Sequence, residues 1–291
     1  MTSPEPPFPS IAIVGLGLIG GSIALAVRER WPASRVFGVD AEPVLAHALG
    51  AGAIERGFET IAALPESSLI VLAAPVRQNI ELLQQIGAGV VGSGFSRTIV
   101  TDVGGTKRDI VNAARALPAA VSFVGGHPLG GGERGGFAFA RPDLFAGRPW
   151  IFTPQGDSAS DPVERLSRLV AGLGAKPSIM SADEHDRVMA FVSHLPQLAA
   201  SALMDAVGSA AHSEGLRMAG RGLVDTTRLA SSPADVWRDI CLTNADSIEK
   251  ALDCLIQRLT QLRGDLRRGD AVEAVFSAAA KWRAELMKDN H

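Results

Sequence analysis

The stretch "IAIVGLGLIGGS", Ile11 to Ser22, decides the reading of this chain. Four apolar residues run straight into G-x-G-x-x-G, with glycines at 15, 17 and 20. A buried strand that ends in such a turn and opens a helix is the dinucleotide-binding arrangement. Gly15 serves the tight turn, Gly17 lets the backbone approach a pyrophosphate, and Gly20 lets helix and strand pack closely. The helix starting near Leu18 and Ile19 aims its first amides and its dipole at the phosphates. Twenty residues after Gly20, "VFGVD" ends in Asp40. An acid at that strand end accepts hydrogen bonds from a ribose and repels a 2′-phosphate, and Ala41 and Glu42 offer a phosphate no cation. NAD is therefore expected over NADP.

Working outward, "RVFGVD", "SLIVLAAPV", "TIVTDVG", "VSFVGGH", "PWIFTP" and "KPSIM" read as further strands. Ile23–Arg30, Val44–Gly50 and Ile110–Leu117 read as helices between them. The alternation predicts an α/β fold, with an N-terminal Rossmann-type, parallel, doubly wound sheet over residues 1–181. From Asp183 on, strand-like runs stop. Val188, Phe191, Val192, Leu195, Leu198 and Ala199 form one helical face, which Pro196 should kink. A stripe from Trp237 through Leu262 and a last helix from about Ala271 to Met287 complete an all-α region, 182–291. Such wide apolar stripes need a large partner, supplied either by an intertwined dimer or by the protomer itself.

Bulk properties exclude several classes. The chain has 291 residues, 46% hydrophobic and 20% charged, with net charge −3. That balance gives no basic stripe for nucleic acid. No apolar run reaches the roughly 18 residues that span a bilayer. The opening "MTSPEPPFPS" reads as a frayed tail rather than a signal peptide. Cys241 and Cys254 are too few for a disulfide framework or a zinc cage, and no metal is expected. A soluble, reduced, cytoplasmic protein is expected.

In open α/β sheets ligands gather beyond the carboxyl ends of the strands. Those ends carry Ala73, Ala74 and Pro75, where small side chains leave room for a flat ring, and then "TDVGGTK". There Asp102 and Lys107 either pair with each other or orient ligands. The third end is "GGHPLGGGERGG", in which His127 sits among glycines costly to hold in regular structure. Oxidising an alcohol by hydride transfer requires a group that takes the hydroxyl proton. An imidazole, with an unperturbed pKa near 6.5, suits that task at neutral pH.

Together "VGLGLIGGS", "TDVGGTK", "GGHPLGGGERGG", "HDRVMAFVSHLPQ" and "GLVDTTRLASSPADVWRDI" resemble the prephenate and arogenate dehydrogenases of tyrosine biosynthesis, from about Ile11 onward. The resemblance implies NAD-dependent oxidative decarboxylation of prephenate to 4-hydroxyphenylpyruvate, or of arogenate to tyrosine, by a homodimer. It makes His127 the proton acceptor from the C4 hydroxyl and Arg228 the anchor of a substrate carboxylate. Glu133 becomes a gating acid paired with Arg228, and Asp225 an orienter of that arginine. His194 and Gln197, three residues apart, would face one ligand. His185, nine residues before His194, should face elsewhere unless the kink intervenes, and reads as structural. Many relatives carry serine at Gly105, whose hydroxyl would meet His127 or the C4 oxygen; here only Thr106 is adjacent. Many also carry histidine at Gln197, where a neutral amide tolerates a keto or an amino side chain. A 4-amino-4-deoxyprephenate dehydrogenase therefore stays open as an alternative. So does another Rossmann hydroxyacid dehydrogenase, although the expected lysine is missing from the first helix after the sheet, and so does a non-enzymatic NAD-binding regulator. With no appended mutase or regulatory segment in view, tyrosine feedback would have to act at the active site.

Overall fold

The computed structural model describes residues 5–89, 98–132, 134–156 and 160–288. Eight strands form one sheet: β1 (Ser10–Val14), β2 (Arg35–Val39), β3 (Arg56–Phe58), β4 (Leu69–Leu72), β5 (Ile99–Asp102), β6 (Ser122–Pro128), β7 (Pro149–Pro154) and β8 (Lys176–Ile179). Their order is β3-β2-β1-β4-β5-β6-β7-β8, so the chain reverses its direction of travel between β1 and β4. The expected strands are all present; β3, three residues long, is additional.

The first six strands are parallel, but β7 pairs antiparallel with β6, and β8 follows β7. The expectation of a wholly parallel sheet is corrected at this edge. Among the described residues no α-helix crosses over between β6 and β7. The glycine-rich segment makes only a 3-10 turn at Phe137–Phe139 and re-enters the sheet from the edge it left.

The inner strands β1, β2 and β4 are apolar on both sides, as a doubly covered sheet demands. Alternate residues of β1 divide between two cores, Ile11 and Ile13 on one face, Ala12 and Val14 on the other. Helix α1 (Leu18–Arg30) brings Ile23 and Val27 to the first core, while α2 (Glu42–Gly50) lies farther along that layer. The second core takes Leu82, Leu83 and Ile86 from α3 (Val76–Gly87) and Ile110 from α4 (Arg108–Ala113). Helix α5 (Ser160–Gly172) returns Leu166, Leu169 and Val170 to the first.

Helices follow from Ser181 on. The Ser181 hydroxyl accepts the Glu184 amide and caps α6 (Ala182–Met189), a good N-cap residue with acids behind it. The expected kink is a π-turn at Ala190–His194, immediately before α7 (Leu195–Leu216) with Pro196 in its first turn. Proline has no amide to give the preceding turn, and a widened turn absorbs the loss. Short α8 (Arg221–Thr226) and α9 (Ala234–Thr243) follow.

The chain separates into two compact units, 1–245 and 246–291. The second holds α10 (Ala245–Asp265) beyond its first residue, and α11 (Asp270–Lys288), joined by a turn in which Asp265 accepts from Arg268 and the Ala271 amide. Among the described residues no helix is long and apolar enough to cross a membrane.

Candidate active site

At the reversal between β1 and β4 a cleft of about 600 Å³ opens, lined by Gly15, Gly17, Asp40, Ala73, Ala74 and Pro75, among others. Each glycine is there for a different reason. Gly15 has φ +93°, and a Cβ on it would stand 2.8 Å from the Ala73 carbonyl. A Cβ on Gly20 would fall on the Gly15 carbonyl oxygen, whereas one on Gly17 would meet open space. Gly17 is thus the position where backbone is free for a ligand to approach. The Asp40 carboxylate spans the turn, Oδ2 accepting the Leu16 amide at 2.6 Å and Oδ1 the Ala41 amide at 2.7 Å. Glu59 lines the same cleft and adds a second negative charge facing any 2′-phosphate. Buried Asn79 fixes the opposite wall by bonding the Leu72 and Ala74 carbonyls and the Ala74 amide. These features fit a dinucleotide held by backbone amides.

Two strands away on the same carboxyl edge, β6 delivers His127. Asp102 and Lys107, one strand nearer the cleft, form an ion pair with no exposed surface, 2.5 Å long. Asp102 also accepts the Gly104 amide at 2.7 Å and the Gly126 amide at 3.1 Å. Of the two readings of Asp102, as partner of Lys107 or as a cofactor-side residue that orients ligands, the geometry shows the pairing, and its oxygens also prop the backbone next to His127. Lysine buried in this way needs its partner, since an unpaired charge there would be severely penalised.

His127 Nδ1 lies 2.8 Å from His185 Nε2, and His185 Nδ1 lies 2.8 Å from Asp186 Oδ1. The expectation that His185 faces elsewhere is therefore corrected. The π-turn holds more residues per revolution than an α-turn, and it swings His194 round to the cluster that His185 already faces. His194 Nδ1 meets the Asn244 amide at 3.3 Å, and the same amide bonds the Asp186 carbonyl at 2.8 Å. Arg108 closes the network, reaching Asp186 Oδ2 and the Asn244 oxygen.

Burial pushes His127 well below its ordinary range, aided by His185, Lys107 and His194. Burial also lowers His185, although Asp186 opposes it, and takes His194 down to about 4. All three rings are neutral at pH 7. A neutral imidazole next to a dinucleotide cleft can take a proton from an alcohol.

The remaining expected residues are distributed as follows. Thr106 is buried, with its hydroxyl 2.7 Å from that of Thr243. Gly105 is partly exposed, and a Cβ there would sit 3.5 Å from Ile240. Buried Gln197 donates to the Leu229 carbonyl at 2.7 Å and accepts from Ser232 at 3.1 Å. His194 and Gln197 thus have separate protein partners rather than one shared contact. Exposed Arg228 opens the 3-10 turn Arg228–Ser231, and Asp225 is exposed on α8. Arg228 lines a cleft of about 390 Å³ with Gly131, Gly132, Arg148 and Ser232. Glu133 lies outside the described residues. Sequence reading passed over Arg148, Asp186 and Asn244. Arg148 stands opposite the glycine loop just ahead of β7, which only the strand pairing reveals.

A doubly wound sheet with this glycine turn, and a buried histidine network on the same edge, defines an NAD-binding oxidoreductase. The chain belongs to the prephenate dehydrogenase family. Two family models match it, "Prephenate dehydrogenase, nucleotide-binding domain" over residues 23–179 and "Prephenate dehydrogenase, dimerization domain" over 181–277. The chain is 37% identical to the prephenate dehydrogenase of Bacillus subtilis, across 90% of this chain and 71% of that protein. With the cyclohexadienyl dehydrogenase of Zymomonas mobilis it shares 30% identity over 97% of this chain and 98% of the relative. Among solved structures, the prephenate dehydrogenase of Aquifex aeolicus in complex with hydroxyphenyl propionate and NAD+ superposes with a TM-score of 0.85 at 29% identity, covering 96% of this chain and 97% of the other.

Proposed function

We propose that this protein oxidises and decarboxylates prephenate, or its amino counterpart arogenate, using NAD, in the making of tyrosine. The observation that carries the reading is a neutral His127 at the carboxyl end of β6, on the edge where the glycine turn opens its cleft. Residues 1–181 hold the dinucleotide through the turn at Gly15, Gly17, Leu18, Ile19 and Gly20, with Asp40 on the adenosine ribose. Residues 182–291 supply the substrate side. Bound NAD would take up the hydride that leaves C4 of the substrate ring.

His127 takes the C4 hydroxyl proton while C4 loses its hydride, so the alcohol becomes a carbonyl. The bond from C1 to its carboxylate then breaks and carbon dioxide leaves. The electron pair flows through the ring to the C4 oxygen, which regains a proton, and the ring is aromatic. Arg228 holds a substrate carboxylate, for which a planar fork is suited; Arg148, in the same cleft, is placed for a second carboxylate. Asp225 sets the position of Arg228, a role the resemblance gives Glu133 as well, and Gly105, Thr106, His194 and Gln197 shape the wall behind the ring.

The working protein is a cytoplasmic homodimer. Each unit leaves large apolar side chains exposed, Met218 and Val224 in the first and Ile256, Phe276 and Trp282 in the second, as surfaces awaiting a second copy would leave them.

NADH formation by the purified protein, with NAD and either prephenate or arogenate, tests the reading. Turnover with one or both is expected. Absence of turnover with either, despite NAD binding, would reject it in favour of the 4-amino analogue or a regulator.

A further inference from the structure

Asp186 is a carboxylate surrounded by donors. Oδ1 accepts the Lys107 amide at 2.7 Å, and Oδ2 accepts the Arg108 amide at 2.9 Å and the Arg108 side chain at 3.3 Å. Hydrogen bonds from His185 and from the two amides hold Asp186 below the usual carboxylate range despite its burial, so it is ionised. An ionised carboxylate only accepts. The contact with His185 Nδ1 at 2.8 Å therefore requires the proton to be on Nδ1.

A neutral ring carries one proton, which leaves His185 Nε2 with a bare lone pair. That atom lies 2.8 Å from His127 Nδ1. The contact is a hydrogen bond only if His127 donates from Nδ1. The direction set at Asp186 thus passes through His185 and leaves His127 Nε2 unprotonated, the atom that can accept a proton. Free histidine has no such constraint, because which nitrogen carries the proton is fixed by what the other one meets.

We propose that His185 and Asp186 are positioning residues for His127: they select its Nδ1–H tautomer and stabilise the imidazolium formed when Nε2 takes the substrate proton. This rests on the reading of His127 as the base. Neither residue touches the reacting atoms. As Nε2 gains its proton, the Nδ1–H donates more strongly to His185, whose own Nδ1–H leans on the Asp186 charge. Arg108, Asn244 and the Lys107 amide keep that carboxylate in place.

The test uses the NAD-bound protein with ¹⁵N-labelled histidine, the His127 resonances being assigned by their loss in His127→Asn. The neutral His127 should appear as the Nδ1–H tautomer. In His185→Phe, which fills the same space without an acceptor, it should shift towards Nε2–H. The kcat should fall by about 100-fold with the affinity for NAD unchanged, in the range general-base and tautomer effects reach. An Nε2–H tautomer in the unsubstituted protein, or a fall in kcat of less than about tenfold, would overturn the proposal. Should His185→Phe not fold, the tautomer of the unsubstituted protein decides alone. If His127→Asn keeps its turnover, the assignment of the base itself fails, a result distinguishable from failure of the relay.

Discussion

The dinucleotide cleft and the histidine cluster are built in opposite ways. Within the cleft, the turn from Gly15 to Gly20 works with backbone: a side chain at Gly15 or Gly20 would strike a carbonyl, and Gly17 leaves open space for a ligand to approach the chain. The cluster works with side chains whose hydrogen-bond directions must agree, drawn from β6, the β5–α4 turn, α6 and the residue after α9. Steric needs of consecutive residues are written locally. The direction of a proton across 58 residues of sequence separation is not.

Legibility followed this division. Gly15, Gly17, Gly20 and Asp40 were readable because spacing, strand and helix all agreed. His127 was readable as a histidine at a strand end, but its partner was not. Helical periodicity alone puts His185 and His194 on opposite faces, and only the π-turn before Pro196 brings both to one cluster. Asp186 looks like any polar residue of a helix's first turns until the Lys107 and Arg108 amides are seen to point at it. The antiparallel β7 was equally hidden, since strand direction depends on the absence of a crossover rather than on the strand's own residues.

The sharpest way to break the contrast is a pair of substitutions. His127→Asn should lower kcat by 10³-fold or more while the affinity for NAD stays within about twofold. Gly20→Ala should do the reverse, because its methyl group falls on the Gly15 carbonyl oxygen and forces the turn apart. Affinity for NAD should then fall by at least tenfold, and stability with it. Titration calorimetry with NAD beside initial rates separates the two. Equal loss of binding in both variants would mean that the regions are not independent.

Acid should act on the cluster and spare the cleft. The unfolded chain binds a proton at His194 near pH 6.5, while burial holds the folded ring down to about 4. The contribution of His194 is therefore complete above pH 6.5 and is lost as the pH falls from 6.5 towards 4. The loss is about 3 kcal/mol over that window. His127 and His185, also lowered, push in the same direction. Urea midpoints at pH 7.5 and 4.5 measure it, and His194→Phe should flatten the difference. A midpoint independent of pH would show that the histidines are not buried neutral.

The smallest effect is expected at Gly105, where the two kinds of construction meet. The residue follows β5 in a turn, as Gly15 follows β1, but nothing steric enforces it. Its φ lies outside the left-handed region, and a Cβ would meet only the Ile240 side chain, at an ordinary 3.5 Å. Gly105→Ser should therefore change folding stability by less than about 1 kcal/mol, with the lower entropy of the unfolded chain offsetting any crowding. A hydroxyl added here enters the wall of the site, so kcat and KM should shift while the thermal midpoint does not. A midpoint lowered by more than a few degrees would mean that this glycine, like Gly15 and Gly20, is held by its backbone surroundings. The line between the two regions would then have to be drawn elsewhere.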